Sequence, residues 1–290
     1  MTAIAESDTP IVVRRVPAVA PDVLALARVE GRCMLRHPLL LLGLALSLTL
    51  TGASVLSNGP EQAMVLAGMG ALPLAAGVLM ASNAAGLRSR RDGADELYAT
   101  LPHPPGTRTA AQLLALAWTV PVTIALVGAM YVAFGAHAGL VVGWDGRRHA
   151  PALAELAQGP LIVVSLGALG VLLARRAPSP LIAPPLVIAL LALEIPLAVW
   201  GSTAPARWAL PAVNDAIAVP NSWVPCEPGA LVAHCNLILG YDTAGIAIHL
   251  GFLTATATLF ACGSLLAGRR AMAVGGLLTT VVALTIIGPA

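Results

Sequence analysis

Long apolar runs, separated by polar stretches that carry most of the arginines, set the pattern of this chain. A helix that crosses the roughly 30 Å hydrocarbon core of a bilayer needs about 20 mostly apolar residues. The runs that approach this length are residues 39–56, 63–87, 111–135, 161–174, 181–200, 244–267 and 272–288. The fourth run is short unless residues 153–159 extend it. We therefore predict an all-α, polytopic helical membrane protein with six core spans; residues 271–290 are either a seventh span or an interfacial tail.

The arginines predict how these spans are oriented, because positive side chains near span ends are retained on the cytoplasmic side. With the N-terminus inside, thirteen arginines lie inside and three lie outside, the three being Arg147, Arg148 and Arg207. The same topology predicts an unstructured tail at 1–20, a transmembrane region at 38–270, a cytoplasmic loop at 88–110 and an external segment at 201–243. The long charged stretch before the first run is unlike a cleavable signal peptide.

Residues 21–37 have the pattern of an amphipathic helix lying on the inner membrane surface. At about 100° per residue, Arg28, Arg32 and Arg36 share one face. The opposite, apolar face gathers Val23, Leu26, Ala27, Cys33 and Met34. Glu30 projects into the middle of that apolar face. Two interpretations stay open: Glu30 reaches sideways to an arginine or to lipid headgroups, or it makes a specific contact with another helix.

Composition narrows the function classes. The chain is 58% hydrophobic and 10% charged, whereas soluble domains carry about 25% charged residues. All sixteen basic residues are arginine, and the absence of lysine excludes a phosphate-binding P-loop and a pyridoxal Schiff base. The net charge of +2 does not suggest a nucleic-acid partner. The sequence has neither a G-x-S-x-G elbow nor an H-E-x-x-H pair, so we predict no catalytic residue and no metal site.

The predicted cytoplasmic loop begins with three arginines, continues through an acidic patch and ends in a proline-rich turn. Asp92 is a plausible N-cap for a short helix over residues 92–100, because acidic residues in the first turn complement the helix dipole. The acidic patch consists of Asp92, Asp95 and Glu96. A short charged helix held between two spans is a surface on which another protein can push.

Two segments resemble a known family. They are EGRCMLRHP at residues 30–38 and ELYATLP at residues 96–102, the latter followed by Arg108. Both patterns, in this order relative to the spans, are similar to those of membrane subunits of ATP-binding cassette (ABC) transporters of the type 2 exporter class. The resemblance implies a permease in a bacterial plasma membrane that pairs with a second copy or a sister permease. It also implies separate ATPase subunits that bind ATP and magnesium, so that this chain holds no cofactor.

The resemblance also implies roles for individual residues. The surface helix, with Arg28, Glu30, Arg32 and Arg36, and the loop helix would transmit the motion of the ATPase into the spans. The residues that would contact the ATPase are Asp92, Asp95, Glu96, Leu97, Tyr98, Leu101 and Pro102.

Cys226 and Cys235 lie in the predicted external segment. Because that compartment is oxidising, we predict a disulfide between them. The rival is a metal site that adds His234, but adjacent histidine and cysteine are poorly spaced for tetrahedral zinc.

Ionisable residues inside spans are costly and usually face protein or water. Glu194 in the fifth run and His249 in the sixth lie at matched depth. One interpretation is that the two residues pair, line a translocation pathway or move protons. The other is that both side chains extend to the nearby outer interface. Thr254 and Thr258 form a small, mildly polar face, which favours helix packing first and a pathway lining second.

Other function classes remain open. Glu194 and His249 would be the working groups of an ion-coupled transporter or an integral membrane enzyme. A further alternative is an anchor subunit that transports nothing.

Overall fold

The structure is a computed structural model, and it describes residues 21–57, 70–93, 106–138, 153–200, 219–220, 239–240 and 243–266. A 3-10 turn at Leu116–Trp118 follows the fourth helix, and the two-residue strands β1 (Val219–Pro220) and β2 (Leu239–Gly240) pair antiparallel. The remaining elements are α1 (Pro21–Leu35), α2 (Pro38–Ser57), α3 (Leu72–Arg91), α4 (Thr107–Ala115), α5 (Thr119–Ala138), α6 (Leu153–Arg176), α7 (Ala183–Trp200) and α8 (Thr243–Leu265). Apart from that strand pair, the regular structure of the described residues is helical, as predicted.

Two helical stretches among the described residues are long and apolar enough to cross a membrane, namely Thr107–Ala133 and Ala157–Arg176. A third results if Val23–Leu35 and Pro38–Ala53, which meet at 56°, count as one bent span. Two further apolar segments, in α7 and α8, are shorter. By length and composition, the described part of the chain thus contains two to three candidate spans. The seventh run, residues 272–288, lies outside it.

Prolines explain where several helices begin or break. Residues 63–69 of the second predicted run lie outside the described residues; α3 starts at Leu72, with Pro73 in its first turn, where a missing N–H is tolerated. Pro121 cannot donate to the carbonyl of Ala117, and the chain forms the 3-10 turn between α4 and α5 just before it. The fourth run is a full-length helix because residues 153–159 do extend it, even though α6 contains Pro160.

Helices occupy both ends of the segment 88–110, which the sequence predicts as a cytoplasmic loop. Helix α3 continues through the arginine cluster to Arg91, and α4 already begins at Thr107. Gly93, with φ of 65°, and Gly106, with φ of 120°, flank the loop in the left-handed region that favours glycine. Glycine at these two positions lets the backbone leave the helical path after α3 and before α4.

Contacts between residue pairs give the direction of each helix. The Ser82 hydroxyl of α3 donates to the Gly167 carbonyl of α6 at 2.9 Å, and Gly86, further along α3, packs on Ala174, further along α6, so α3 and α6 are parallel. Helix α8 is parallel to α6 as well. Its start meets the start of α6 at His249 and Gln158, and its end meets the end of α6 at Gly263 and Arg176.

The helices α2 and α5 run in the opposite direction. The backbone N–H of Leu74 at the start of α3 donates to the Ser47 hydroxyl at 3.0 Å, in the middle of α2, whereas Gly77 further along α3 faces the carbonyl of Leu39 at the start of α2. Gly159 of α6 packs against Val127, and Gly167 packs against Leu116, so the α4–α5 segment is also antiparallel to α6. The bundle therefore alternates in direction from α2 through α6.

Glycine allows the closest approaches between these helices. A Cβ atom on Gly43 of α2 would lie 2.5 Å from the carbonyl oxygen of Pro73, and one on Gly77 of α3 would lie 2.6 Å from that of Leu39. Small residues let backbones approach where lipid supplies no hydrophobic driving force between helices. The core around these contacts is apolar and includes Leu40, Leu74, Val78, Leu79, Met130, Ile162 and Val163.

All nine arginines of the described residues lie on α1 or at one end of the bundle, which we call the arginine end. Given the helix directions, the start of α2 and α4 and the end of α3, α6 and α8 meet there. The arginines concerned are Arg28, Arg32, Arg36, Arg88, Arg90, Arg91, Arg108, Arg175 and Arg176. The opposite end has no arginine among the described residues.

Candidate functional site

Helix α1 has the two-faced character that its sequence predicts. Arg28, Arg32 and Arg36 are exposed, whereas Ala27 and Met34 are each about 5% exposed. The buried face rests on α4 and on the 3-10 turn that follows it. The arginine stripe is thus presented outward from the bundle, and the apolar stripe is used for packing inside the chain.

Glu30 makes a specific contact with another helix, which decides between the two interpretations of this residue. Only 8% of Glu30 is exposed, and its Oε1 lies 3.7 Å from Nε of Arg108 in the first turn of α4. Its other oxygen, Oε2, is buried without a hydrogen-bond partner among the described residues. A buried carboxylate is tolerated when a cation lies beside it, so Arg108 is the residue that permits an acid at this position.

The fit of α1 against the bundle depends on a glycine beside that ion pair. Gly31 lies against the indole ring of Trp118, and a Cβ atom at this position would overlap Cδ1 of the ring. The aromatic ring therefore takes the place of a side chain on α1. Gly31 and Glu30, adjacent in sequence, together set the distance between α1 and the α4–α5 segment.

A histidine marks the bend between α1 and α2. The backbone N–H of Leu39 donates to His37 Nδ1 at 3.3 Å, so the imidazole caps the start of α2. This acceptor role requires the neutral ring. The pKa of His37 is lowered from its ordinary value of 6.5, first by burial and second by the positive charge of Arg88 at the end of α3. Burial and Arg88 therefore both favour the capping form.

Both ends of the predicted coupling loop are attached next to this bend. Arg88, near the end of α3, acts electrostatically on His37, and Arg108, at the start of α4, pairs with Glu30. Asp92 is exposed and closes the last turn of α3, since its N–H donates to the Arg88 carbonyl at 2.9 Å. The other predicted ATPase contacts lie outside the described residues, namely Asp95, Glu96, Leu97, Tyr98, Leu101 and Pro102.

A second polar contact joins α6 and α8 at the end opposite the arginines. Gln158 Nε2 lies 3.1 Å from His249 Nε2, and both residues are almost fully buried. His249 is therefore buried between α6 and α8. Glu194 belongs to α7, but its side chain is outside the described residues, so its pairing with His249 stays a prediction. Gln158 was missed at the sequence level, although an amide at the start of an apolar run is a recognisable signal.

The two threonines of α8 do not serve helix packing among the described helices. Thr254 and Thr258 are exposed. Each hydroxyl donates to a carbonyl of its own helix, that of Leu250 or Thr254, at 2.8 Å. These bonds satisfy the hydroxyls internally, so this face of α8 presents a nearly apolar surface outward.

Arg176 has a structural role that the sequence did not reveal. At the end of α6 its guanidinium donates to the carbonyls of Gly263 and Leu266, each at 2.8 Å through Nη2. A helix leaves its last carbonyls without intrahelical partners, and a cation there also complements the helix dipole. Arg176 thus caps α8 and connects the two helix ends.

Cysteine and metal chemistry is sparse in the described residues. Cys33 and Cys262 are free thiols, and no group of three or more His, Cys, Asp or Glu side chains among these residues could hold a metal ion. The predicted disulfide partners Cys226 and Cys235 lie outside the described residues, as does the rival ligand His234.

Comparison with known proteins returns no family model, no curated protein and no solved structure that matches this chain. Function is therefore inferred from the residues and contacts of the chain itself.

Proposed function

We propose that this chain is the permease subunit of an ATP-driven exporter, in which it forms the substrate pathway and is energised by separate ATPase subunits. The contact between Glu30 and Arg108 is the observation that carries the proposal. These residues belong to the two segments that resemble type 2 ABC permeases, and 77 residues separate them in the sequence. Their meeting at one ion pair supports the idea that the two segments serve one purpose.

The geometry suggests how motion would pass through this point. An ATPase subunit that pushed on residues 94–105 would displace the end of α3 and the start of α4 together. Through Arg108 and Glu30 the same displacement would reach α1, and through His37 and Arg88 it would reach the bend before α2. The surface helix and the first three core helices would therefore respond as one unit to a push on the loop.

The directions of the helices support a bundle of six core spans. Helices α2 through α6 alternate in direction, and α6 and α8 are parallel. Helix α6 ends at the arginine end, whereas α8 starts at the opposite end, so the chain must cross the length of the bundle between them. Helix α7, an apolar helix of eighteen residues, lies in that interval. The described arginines lie at one end of the bundle, as the positive-inside rule requires for a cytoplasmic face. We place α1 and the N-terminus on that side of a bacterial plasma membrane.

The partners follow from the composition. A chain without lysine lacks the residue with which a P-loop reaches nucleotide phosphates. ATP and magnesium would be held by the ATPase subunits, and a second copy or a sister permease would complete the pathway.

Purification from membranes in a mild detergent tests the proposal. We expect a chain with a Walker motif to accompany this protein in a fixed ratio. Glu96→Ala and Pro102→Ala should leave the amount of permease in the membrane unchanged and lower ATP hydrolysis by the purified complex. Arg175→Gln, an exposed arginine at the end of α6 that has no assigned role in coupling, is the matched control and should retain the wild-type rate. Absence of a Walker chain from the purified protein would contradict the proposal.

An ion-coupled transporter is the second candidate, and the burial of His249 between α6 and α8 favours it. Here Glu194 and His249 would move protons across the outer half of the bundle. Reconstituted alone in vesicles, the protein should then respond to a proton gradient without any ATPase, and Glu194→Gln should abolish the response. Unchanged proton movement in Glu194→Gln would exclude this candidate.

A further inference from the structure

An open groove lies between α2 and α5. It encloses about 400 Å³, a volume within the range of small-ligand sites. Helix α2 contributes Leu48, Gly52 and Val55, and α5 contributes Leu126, Ala129 and Met130. Since α2 and α5 run in the same direction, the groove follows their length toward the end that lacks arginine.

The lining selects an apolar occupant. Its accessible surface is almost entirely carbon, and among the described residues that line it the one polar side chain is Thr51, whose hydroxyl is buried. A charged or strongly polar ligand would lose its hydration there without compensating hydrogen bonds, which costs several kcal/mol. An alkyl chain loses nothing on entry and gains dispersion contacts along the walls.

The surroundings of the groove identify the source of such a chain. Leu56 of α2, which also lines the groove, is 78% exposed, and Val132 of α5 beside the groove is 73% exposed. Helix α5 begins inside the candidate span Thr107–Ala133, and α2 forms part of the bent candidate span. Large apolar side chains exposed on such helices face acyl chains in a bilayer, and the groove opens on this same surface.

We propose that the groove is a binding site for one acyl chain of a membrane phospholipid. The site depends on α2 and α5 lying in a bilayer and is independent of ATPase coupling. Its shape comes from small residues at the positions where the two helices would otherwise fill the space, since a Cβ atom on Gly52 would meet nothing within 4 Å. When the groove is empty, its apolar walls lack contacts on the open side. An acyl chain restores them.

Two glycines provide a matched pair of variants. Gly52 of α2 lines the groove, whereas Gly128 of α5 does not, and a Cβ atom at either position meets no atom within 4 Å. Gly52→Leu therefore fills the groove without a clash, and Gly128→Leu adds the same side chain outside it. Both substitutions raise helix propensity equally, so a difference between them reports on the groove.

Photo-crosslinking in lipid nanodiscs tests the proposal. The probe is a phosphatidylcholine with a diazirine near the end of one acyl chain, and the labelled peptides are mapped by mass spectrometry. We expect labelling of residues 48–56 and 126–133 in the wild type and in Gly128→Leu. In Gly52→Leu it should fall about tenfold, which corresponds to about 1.4 kcal/mol of binding. Thr51→Val, which replaces the hydroxyl with a methyl group, should keep wild-type labelling.

Three results would overturn the acyl-chain site. Absence of labelling in the wild type would mean that another segment of the chain covers the groove. A loss of labelling in Thr51→Val would indicate a ligand that needs the hydroxyl. Dissociation of a wild-type dimer in Gly52→Leu, seen by size-exclusion chromatography with light scattering, would assign the groove to a second copy of the chain.

Discussion

Nε of Arg108 lies 3.7 Å from Oε1 of Glu30, and this pair joins a helix on the outside of the bundle to the first turn of α4. Glu30 is the more buried partner, with 10% of its side chain exposed against 24% for Arg108. The arginine can therefore be solvated when the pair opens, whereas the carboxylate cannot. This asymmetry predicts unequal effects of substitutions at the two positions.

Removal of the cation should cost more than removal of both charges. Arg108→Gln leaves a buried carboxylate without its partner, and we expect a loss of about 1–3 kcal/mol in stability. The double variant Glu30→Gln/Arg108→Gln should recover part of that loss, because the amide carries no charge to desolvate. Thermal unfolding in detergent, followed by tryptophan fluorescence, measures both effects. If the double variant is less stable than Arg108→Gln, the pair does not act as described.

The glycine contact between α2 and α3 should tolerate no side chain. In Gly43→Ala the new methyl group would meet the carbonyl oxygen of Pro73 at 2.5 Å, so the helices must separate, at an expected cost of about 1–3 kcal/mol.

Gly52→Ala is the control for this change, since Gly52 lies in open space on the same helix. It should be neutral or should stabilise the protein by up to about 1 kcal/mol through helix propensity. Equal unfolding temperatures for the two variants would contradict the close approach of the backbones.

Arg176→Met should loosen the end of α8. The variant keeps the aliphatic stem of the side chain but loses the hydrogen bonds to the carbonyls of Gly263 and Leu266. We expect faster hydrogen exchange in the last turn of α8 and unchanged exchange in α6, measured by mass spectrometry. The neighbouring variant Arg175→Met serves as the control, and it should leave exchange in α8 at the wild-type rate.

Acidification should destabilise the bend at His37. Because its folded-state pKa lies below 6.5, the folded protein binds the proton less readily than the unfolded chain. The stabilisation by the neutral cap is thus fully present above pH 6.5 and is lost as the pH falls toward the lowered pKa.

A comparison with His37→Asn isolates this effect. Asparagine retains an N-cap acceptor but does not titrate. Thermal unfolding between about pH 8 and about pH 5 should therefore show a smaller decline in the variant than in the wild type. Identical pH profiles would show that His37 does not contribute.

Much of the fold follows from sequence pattern because the driving force is local. An apolar run long enough to satisfy its own backbone becomes a helix in lipid, and the predicted runs correspond to helices wherever the structure describes them. Where the described helices end depends on further details of the sequence. Proline decides where α3 starts, and the arginines predicted for the loop complete α3 because nothing in the residues 88–91 interrupts hydrogen bonding.

The sequence predicted only some of the contacts at the candidate site. The pattern of α1 placed Glu30 on the wrong face for an acid, which indicated that it needs a partner, but it could not name Arg108. Gln158, the neighbour of His249, and the capping role of Arg176 depend on helices that are distant in the chain. Such pairings are set by how helices pack, and the sequence period of one helix does not contain that information.

The sequence by itself predicted a membrane protein, the helical class, the amphipathic character of α1 and the lack of a P-loop lysine, because each depends on residue type and spacing alone. Tertiary structure decided which helices are parallel, which cation neutralises Glu30 and where small residues leave an acyl-sized groove. These features depend on backbone distances between helices. They arise where glycine lets two chains approach, as at Gly43 and Gly77, and where nothing fills the space, as at Gly52.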